Sequence, residues 1–293
     1  MKDVNNYKNW SKEPVIVDRK ASVVFSWQVK DIVEKAERGE IDKIGGPAVK
    51  VNPHFVPEQY RDTSDSGNWL SLHNPNATRT SVGCIRKCEF CVVKKIEPKF
   101  KEITDFIPKP ILCDNNFLAC SKKHIIRSID RLVDIKGVDF NQGLDARLFK
   151  NWHIDEFKKL KWDAIRFAWD SPNQEKYVVS AIESLKKAGF PGSKIRCYVL
   201  IGFKETQEEA TYRCETLRKL DVFPSPMRYQ PVDAMIKNDY CPDQWNMAML
   251  KRFCRYWARQ RWLKYFTFEE FLDHYRNEAH FSPYKQWTLK DSL

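Results

Sequence analysis

Between about residues 105 and 231, short β-branched or aromatic runs alternate with amphipathic stretches, which predicts βα units around a parallel sheet. Strands are expected at Lys109–Cys113, Val138–Gln142, Ala164–Trp169, Lys194–Phe203 and Met227–Gln230, each separated by one helix. Ile125, Ile129 and Leu132 space the first helix, Phe157 and Leu160 the second, and Val178, Ala181, Ile182 and Leu185 the third, at the interval of one buried helical face. The fourth helix opens with Thr206-Gln-Glu-Glu209, which has the form of a capping box. Ala77–Val82 adds another strand-like run. The expected fold class is therefore α/β, a partial (β/α)6 TIM-like barrel with six units instead of the eight that close. Chemistry in such folds gathers at the C-terminal ends of the strands, here Gly83, Asp114, Gly143, Asp170, Gly202 and Pro231 with their neighbours.

The flanks read differently. Residues 1–76 hold one strand-helix-strand unit, ASVVFSW, QVKDIVEKAERGE and IDKIGGPAV, too small for an independent nucleotide fold. Gly45-Gly46-Pro47 reads as a turn, and the chain from Pro53 to Asn76 as irregular. Residues 77–231 form the barrel, and 232–293 a helical extension expected at about Pro242–Leu263 and Thr267–Asn277. In that extension Lys251, Arg252, Arg255, Arg259, Arg261 and Lys264 interleave with Phe253, Tyr256, Trp257, Trp262 and Tyr265. Such a basic, aromatic stretch suits backbone phosphates and unstacked bases, or else carries its aromatics as packing against the barrel.

Composition narrows the classes. With 293 residues, 42% of them hydrophobic, the chain can bury a sizeable core, which excludes disorder as its main state. No apolar stretch approaches the roughly 20 residues of a spanning helix, so no membrane partner is expected. The N-terminus MKDVNNYKNWSKEP has charges and no apolar secretion core, which makes the cytoplasm the expected location. Fifty Lys and Arg against 39 Asp and Glu give a formal charge of +11, favouring an anionic partner such as nucleic acid. Nine cysteines, an odd and mostly scattered set, read as reduced thiols.

Three of those thiols crowd together in Gly83-Cys84-Ile-Arg-Lys-Cys88-Glu-Phe-Cys91, directly after a strand. Soft thiolates select zinc or an iron–sulfur cluster. Structural zinc wants a fourth ligand, and the local loop has no further Cys or His, although Cys113 or Cys120 could supply one from the next unit. A 4Fe–4S cluster on three cysteines leaves one iron without a protein ligand, open to a substrate.

The Cys-x3-Cys-x2-Cys spacing after the first strand of a partial barrel, with Phe90 before the last cysteine, resembles the radical S-adenosylmethionine superfamily over roughly Thr78 to Pro231. The resemblance implies a site-differentiated 4Fe–4S cluster on Cys84, Cys88 and Cys91, with S-adenosylmethionine chelating the open iron. Reductive cleavage would then give a 5'-deoxyadenosyl radical that abstracts hydrogen from substrate, the electron coming from a reductant such as flavodoxin or ferredoxin. It further implies that Phe90 presents its backbone to adenine and that Asp114 and Asn115 stand in for the usual Gly-Gly-Glu that holds the methionine amino group. Leu200, Gly202 and Glu205 match a G-x-I-x-G-x-x-E pattern that lacks its first glycine, and Arg166 joins them in the cofactor pocket. Asn141, Gln142, Asp145 and Asp170 offer further polar groups, with an ordinary Asp145–Arg147 ion pair as the alternative for that couple. Met227 and Tyr229 flank adenine or pack in the core, and Cys197 is a radical partner or a buried hydrophobe. No catalytic side chain is assigned.

Residues 1–76 resemble the later half of the cobalamin-binding domain that precedes the barrel in some members. None of the six histidines sits in the D-x-H-x-x-G motif, so cobalamin is not expected. A nucleic-acid base or nucleotide is the favoured substrate, with a peptide or small metabolite as alternatives. The competing classes are a non-catalytic, zinc-stabilised nucleic-acid-binding module and a simple electron carrier.

Overall fold

The computed structural model describes residues 10–62, 69–259, 263 and 265–277. Its first unit is a small three-stranded sheet. β1 (Val15–Val17) pairs antiparallel with β2 (Lys20–Ser22), and β2 pairs in parallel with β3 (Lys43–Gly45) across α1 (Val29–Glu37). Val29, Ile32 and Ala36 recur on one face of α1 and bury against Val23, Ile41 and Ile44. The Gly45-Gly46-Pro47 turn is structural: Val23 N donates to Gly45 O, and Ala48 N, in α2 (Pro47–Val51), donates to Val23 O. The chain then passes through short 3-10 turns to α3 (Trp69–His73), where His73 Nε2 meets Ser22 Oγ at 3.0 Å.

The main body is a six-stranded, all-parallel sheet. In chain order its parts are β4 (Ala77–Thr78), β5 (Ser81–Val82), α4 (Val93–Ile96), β6 (Lys101–Glu102), β7 (Ile111–Leu112), α5 (Lys122–Asp130), β8 (Lys136–Phe140), α6 (Asn151–Phe157) and β9 (Lys161–Ala168). There follow α7 (Glu175–Lys187), β10 (Ile195–Ile201), α8 (Gln207–Lys219), β11 (Phe223–Arg228), α9 (Met247–Trp257) and α10 (Phe268–Asn277). Strand order is β4-β7-β8-β9-β10-β11, so each crossover steps the same way. Right-handed crossovers that never reverse direction put their helices on one face of the sheet. That face is the apolar one: Leu112, Val138, Phe140, Ile165, Phe167, Val199 and Ile201 join Ile125, Phe157, Ile182 and Leu217 of the helices in one core.

The alternate positions of the same strands face the other way and include charge. Ile111 and Cys113 pack with Trp10 and Leu70, while Asp139 and Arg166 form a buried bidentate pair with both bonds at 2.6 Å. The Arg166 guanidinium lies 5.7 Å from the Tyr198 ring centre.

Several elements follow the sequence pattern closely. Thr206 and Glu209 form the capping box, with Glu209 N donating to Thr206 Oγ1 at 3.3 Å and Thr206 N to Glu209 Oε2 at 2.9 Å. Others differ. The run Ala77–Val82 is two strands: only Ala77–Thr78 joins the parallel sheet, and Ser81–Val82 turns away to pair antiparallel with Lys101–Glu102. The last strand starts at Phe223, earlier than the expected Met227, because Pro224 and Pro226 are tolerated in an edge strand that bonds only β10. The first C-terminal helix starts at Met247, where Asn246 caps the amides of Ala248 and Met249, instead of at Pro242. Its Phe253, Tyr256 and Trp257 are fully buried in the main core, so they are packing residues and offer no stacking face. Arg255 and Arg259 are exposed; Arg261, Trp262 and Lys264 lie outside the described residues.

The first unit touches the sheet at both margins. α3 contacts β4 at one margin. At the other, just past β11, Val232 O accepts from Ser26 Oγ at 2.5 Å and from Asn52 Nδ2 at 2.9 Å. Among the described residues no helix is long and apolar enough to cross a membrane.

Candidate metal centre

Cys84, Cys88 and Cys91 lie on an excursion, residues 83–100, whose base is closed by the β5–β6 pairing. Gly83 opens it with φ +72°, and a Cβ there would stand 2.3 Å from Lys99 O. Only glycine lets the two ends of the loop cross so closely. Glu97 fastens the crossing: its Oε2 accepts from Gly83 N at 2.9 Å and from Asn115 Nδ2 at 2.6 Å, and its Oε1 pairs with Arg79. One carboxylate thus ties the loop's beginning and end to the residue following β7.

The three thiols are half-buried neighbours whose charges act on one another. Burial raises the pKa of Cys88 and Cys91, opposed by the Arg147 guanidinium at Cys88 and by the Val93 amide at Cys91. Cys84 Sγ accepts from Arg86 N at 3.3 Å and from Asn116 Nδ2 at 3.5 Å. Among the described residues no three Cys, His, Asp or Glu side chains are gathered at metal-binding geometry, these thiols included. Cys113 and Cys120, the candidates for a fourth ligand, answer to Asp114 and neighbouring charges and not to the loop thiols; burial pushes both up to about 12.

Asp145 joins the loop to the sheet. Its carboxylate accepts from Arg86 Nε at 2.9 Å, from Arg147 Nε and Nη2 at 2.7 and 3.0 Å, and from Asn116 Nδ2 at 3.4 Å. Burial would raise its pKa, but Arg147 and Arg86 hold it below the usual carboxylate range. The expected Asp145–Arg147 ion pair is therefore present, extended by Arg86 from the cysteine loop. Two guanidinium groups beside three thiols favour whatever anionic centre those thiols hold.

Other residues singled out in the sequence fall into three groups. Asp114 and Asn115 stand beside the loop. Asp114 Oδ1 accepts from Thr80 N, Thr80 Oγ1 and Ser81 Oγ at 3.0, 2.8 and 2.6 Å, fixing the bend between β4 and β5. Burial raises the pKa of Asp114 in spite of these bonds, and its Oδ2, like Asn116 Oδ1, is buried without a hydrogen-bond partner. Phe90, Gly202 and Glu205 form the opposite wall. Phe90 meets Phe203 edge to face at 5.9 Å, and Glu205 closes its own turn by accepting from the amides of Gly202, Phe203 and Lys204. Leu200 and Arg166 lie deeper, on the polar side of the sheet, with two nitrogens of Arg166 occupied by Asp139.

Asp170, at the end of β9, is pushed up to about 6 by burial, against the pull of Arg213 and Arg147. Asn141 contributes its carbonyl to Tyr198 Oη at 2.9 Å. Met227 is exposed, and Tyr229 lies between Phe203 and Tyr240. Cys197 is fully buried on the helix-facing side of the sheet, the bland alternative of the two. Sequence reasoning missed Glu97 and Arg213. Fully buried Arg213 on α8 donates to Trp169 O and Leu200 O at 2.9 and 3.0 Å and so holds the ends of β9 and β10 together. Glu97 left one trace, as one of only two acids among the lysines of its loop.

No protein-family model matches this chain, and no curated protein matches it at a significant level.

Proposed function

We propose that the chain is a radical S-adenosylmethionine enzyme in which Cys84, Cys88 and Cys91 hold a 4Fe–4S cluster. The observation that carries this reading is the trio of thiols on a closed loop at one end of a one-way parallel sheet, with no fourth Cys or His in the loop. That donor set suits a cluster with one open iron better than a four-ligand zinc site. The one-way strand order and the contact of Phe90 with Phe203 support curling of the sheet into a partial (β/α)6 barrel around the site.

When bound, the cluster and S-adenosylmethionine supply one-electron carbon–sulfur cleavage and a 5'-deoxyadenosyl radical for hydrogen abstraction. The chain's own residues do the positioning. Glu97 and Gly83 set the loop, N–H groups of Arg86, Asn116 and Val93 stabilise the sulfurs as thiolates, and Arg86 and Arg147 offset their charge. The unpartnered Asp114 Oδ2 and Asn116 Oδ1 are acceptors for an ammonium group beside the cluster. Phe90 and Phe203 form an apolar wall that excludes water from the far side.

A nucleic-acid substrate rests on the +11 charge and the exposed Arg255 and Arg259. Anaerobic reconstitution tests the reading. About four iron and four sulfide per chain are expected, lost in Cys88→Ala, together with 5'-deoxyadenosine formation under dithionite. Zinc in place of iron, or iron without any cleavage of S-adenosylmethionine, overturns it. Stimulation by a single-stranded oligonucleotide that fades steeply with added salt would identify the substrate class.

A further inference from the structure

The cysteine loop carries a charge imbalance that the proposed site does not use. Lys87, Lys94, Lys95, Lys99 and Lys101 are all exposed, and none has an ion-pair partner among the described residues. The acids of the same stretch are committed elsewhere. Glu89 pairs with Lys204 at 2.6 Å, Glu97 faces inward to Gly83, Asn115 and Arg79, and Glu102 accepts from Ser121 N. Five uncompensated positive charges therefore rim the loop, Lys87 beside Cys88 and Lys94 in the short helix just after Cys91, with exposed Ile85 between Cys84 and Arg86.

We propose that this face docks an acidic, low-potential electron-carrier protein, a proposal that rests on the cluster assignment above. The carrier gives up one electron and the cluster takes it up, so donor and acceptor each change by a single charge. Like-charge crowding is unfavourable for a surface that meets only solvent, whereas lysines around a redox centre steer an acidic partner and set its orientation. Small, charge-steered interfaces are the usual form of transient electron-transfer encounters. A nucleic-acid strand fits this face less well. The charges are lysine point charges without arginine forks, and the aromatic residues of the loop are turned inward, Phe90 onto Phe203 and Phe100 onto the main core.

The test uses the full, reconstituted chain, flavodoxin as the acidic probe, and the charge reversal Lys94→Glu/Lys95→Glu/Lys99→Glu. At low salt flavodoxin should bind the wild-type chain, with affinity falling as salt rises, and bind the reversal variant at least about tenfold more weakly. Iron content, thermal midpoint and dithionite-driven cleavage should be unchanged in the variant. Equal binding to both proteins, or no binding by a loaded and dithionite-competent chain, overturns the docking face and leaves the enzyme reading standing. If the variant instead loses only affinity for a single-stranded oligonucleotide, the face serves nucleic acid and the proposal is wrong. A chain that takes up no iron overturns both.

Discussion

Phe90 and Phe203 meet edge to face with ring centres 5.9 Å apart, although the strands that precede their loops, β4 and β10, are separated by three others in the sheet. Four strand spacings of about 4.8 Å would put those strands roughly 19 Å apart in a flat sheet. The loop therefore reaches across the strand ends, and the ring contact is where it lands. Phe203→Ala is expected to cost only about 1–2 kcal/mol of global stability, since the ring is half-buried. Its larger effect should be local: limited trypsin digestion, followed by mass spectrometry, should cut faster at Lys87, Lys94 and Lys95 than in wild type. Unchanged cleavage there would show that the rings do not anchor the loop.

Gly83→Ala should be far more damaging than Gly137→Ala. Both glycines have positive φ, +72° and +75°, but an added methyl at Gly137 meets nothing within 4 Å, whereas at Gly83 it strikes the Lys99 carbonyl. The backbone penalty alone is about 1–2 kcal/mol, and the clash should raise the Gly83 cost to about 3 kcal/mol or more. Urea unfolding of the two variants measures the difference; equal midpoints would contradict the crossing geometry.

Breaking the Asp139–Arg166 pair from one side should be costlier than replacing it whole. Arg166→Met leaves a fully buried carboxylate without its partner and should destabilise by about 3–5 kcal/mol. The double variant Asp139→Leu/Arg166→Met should recover much of that loss. A double-mutant cycle by urea denaturation reads the coupling, and additive losses would contradict it.

Asp170 gives a pH dependence of definite sign. Its folded pKa is raised to about 6, above the roughly 3.9 of an unfolded aspartate, so between those values the folded chain binds more protons than the unfolded one. Stability of the metal-free protein should therefore fall as pH rises from about 4 to 6, by at most about 1.4 kcal/mol per unit from this group. Asp170→Asn should flatten that stretch of the profile. An unchanged slope in urea midpoints from pH 4.5 to 7 would rule the assignment out.

What could be read from the chain depended on how local the physics was. The Thr206–Glu209 box closes within one helical turn, and the cysteine spacing is visible without any tertiary contact. Strand β11 was hidden by Pro224 and Pro226, whose tolerance depends on the strand lying at an edge. Arg166 looked like a pocket residue because its partner Asp139 is 27 positions away and pairs only once β8 and β9 are side by side. The aromatics of α9 were ambiguous for a similar reason, since a helix does not reveal which face its neighbours cover. Glu97 was passed over because its role needs the loop to cross itself at Gly83.

The shared carbonyl of Val232, held by Ser26 and Asn52, makes the first fifty or so residues a keystone and not an appendage. Expressed from residue 77 onward, the remainder would present bare strand margins, which recruit neighbouring molecules into intermolecular ladders. Such a shortened protein is expected to accumulate as insoluble aggregate even with every cysteine of the loop intact.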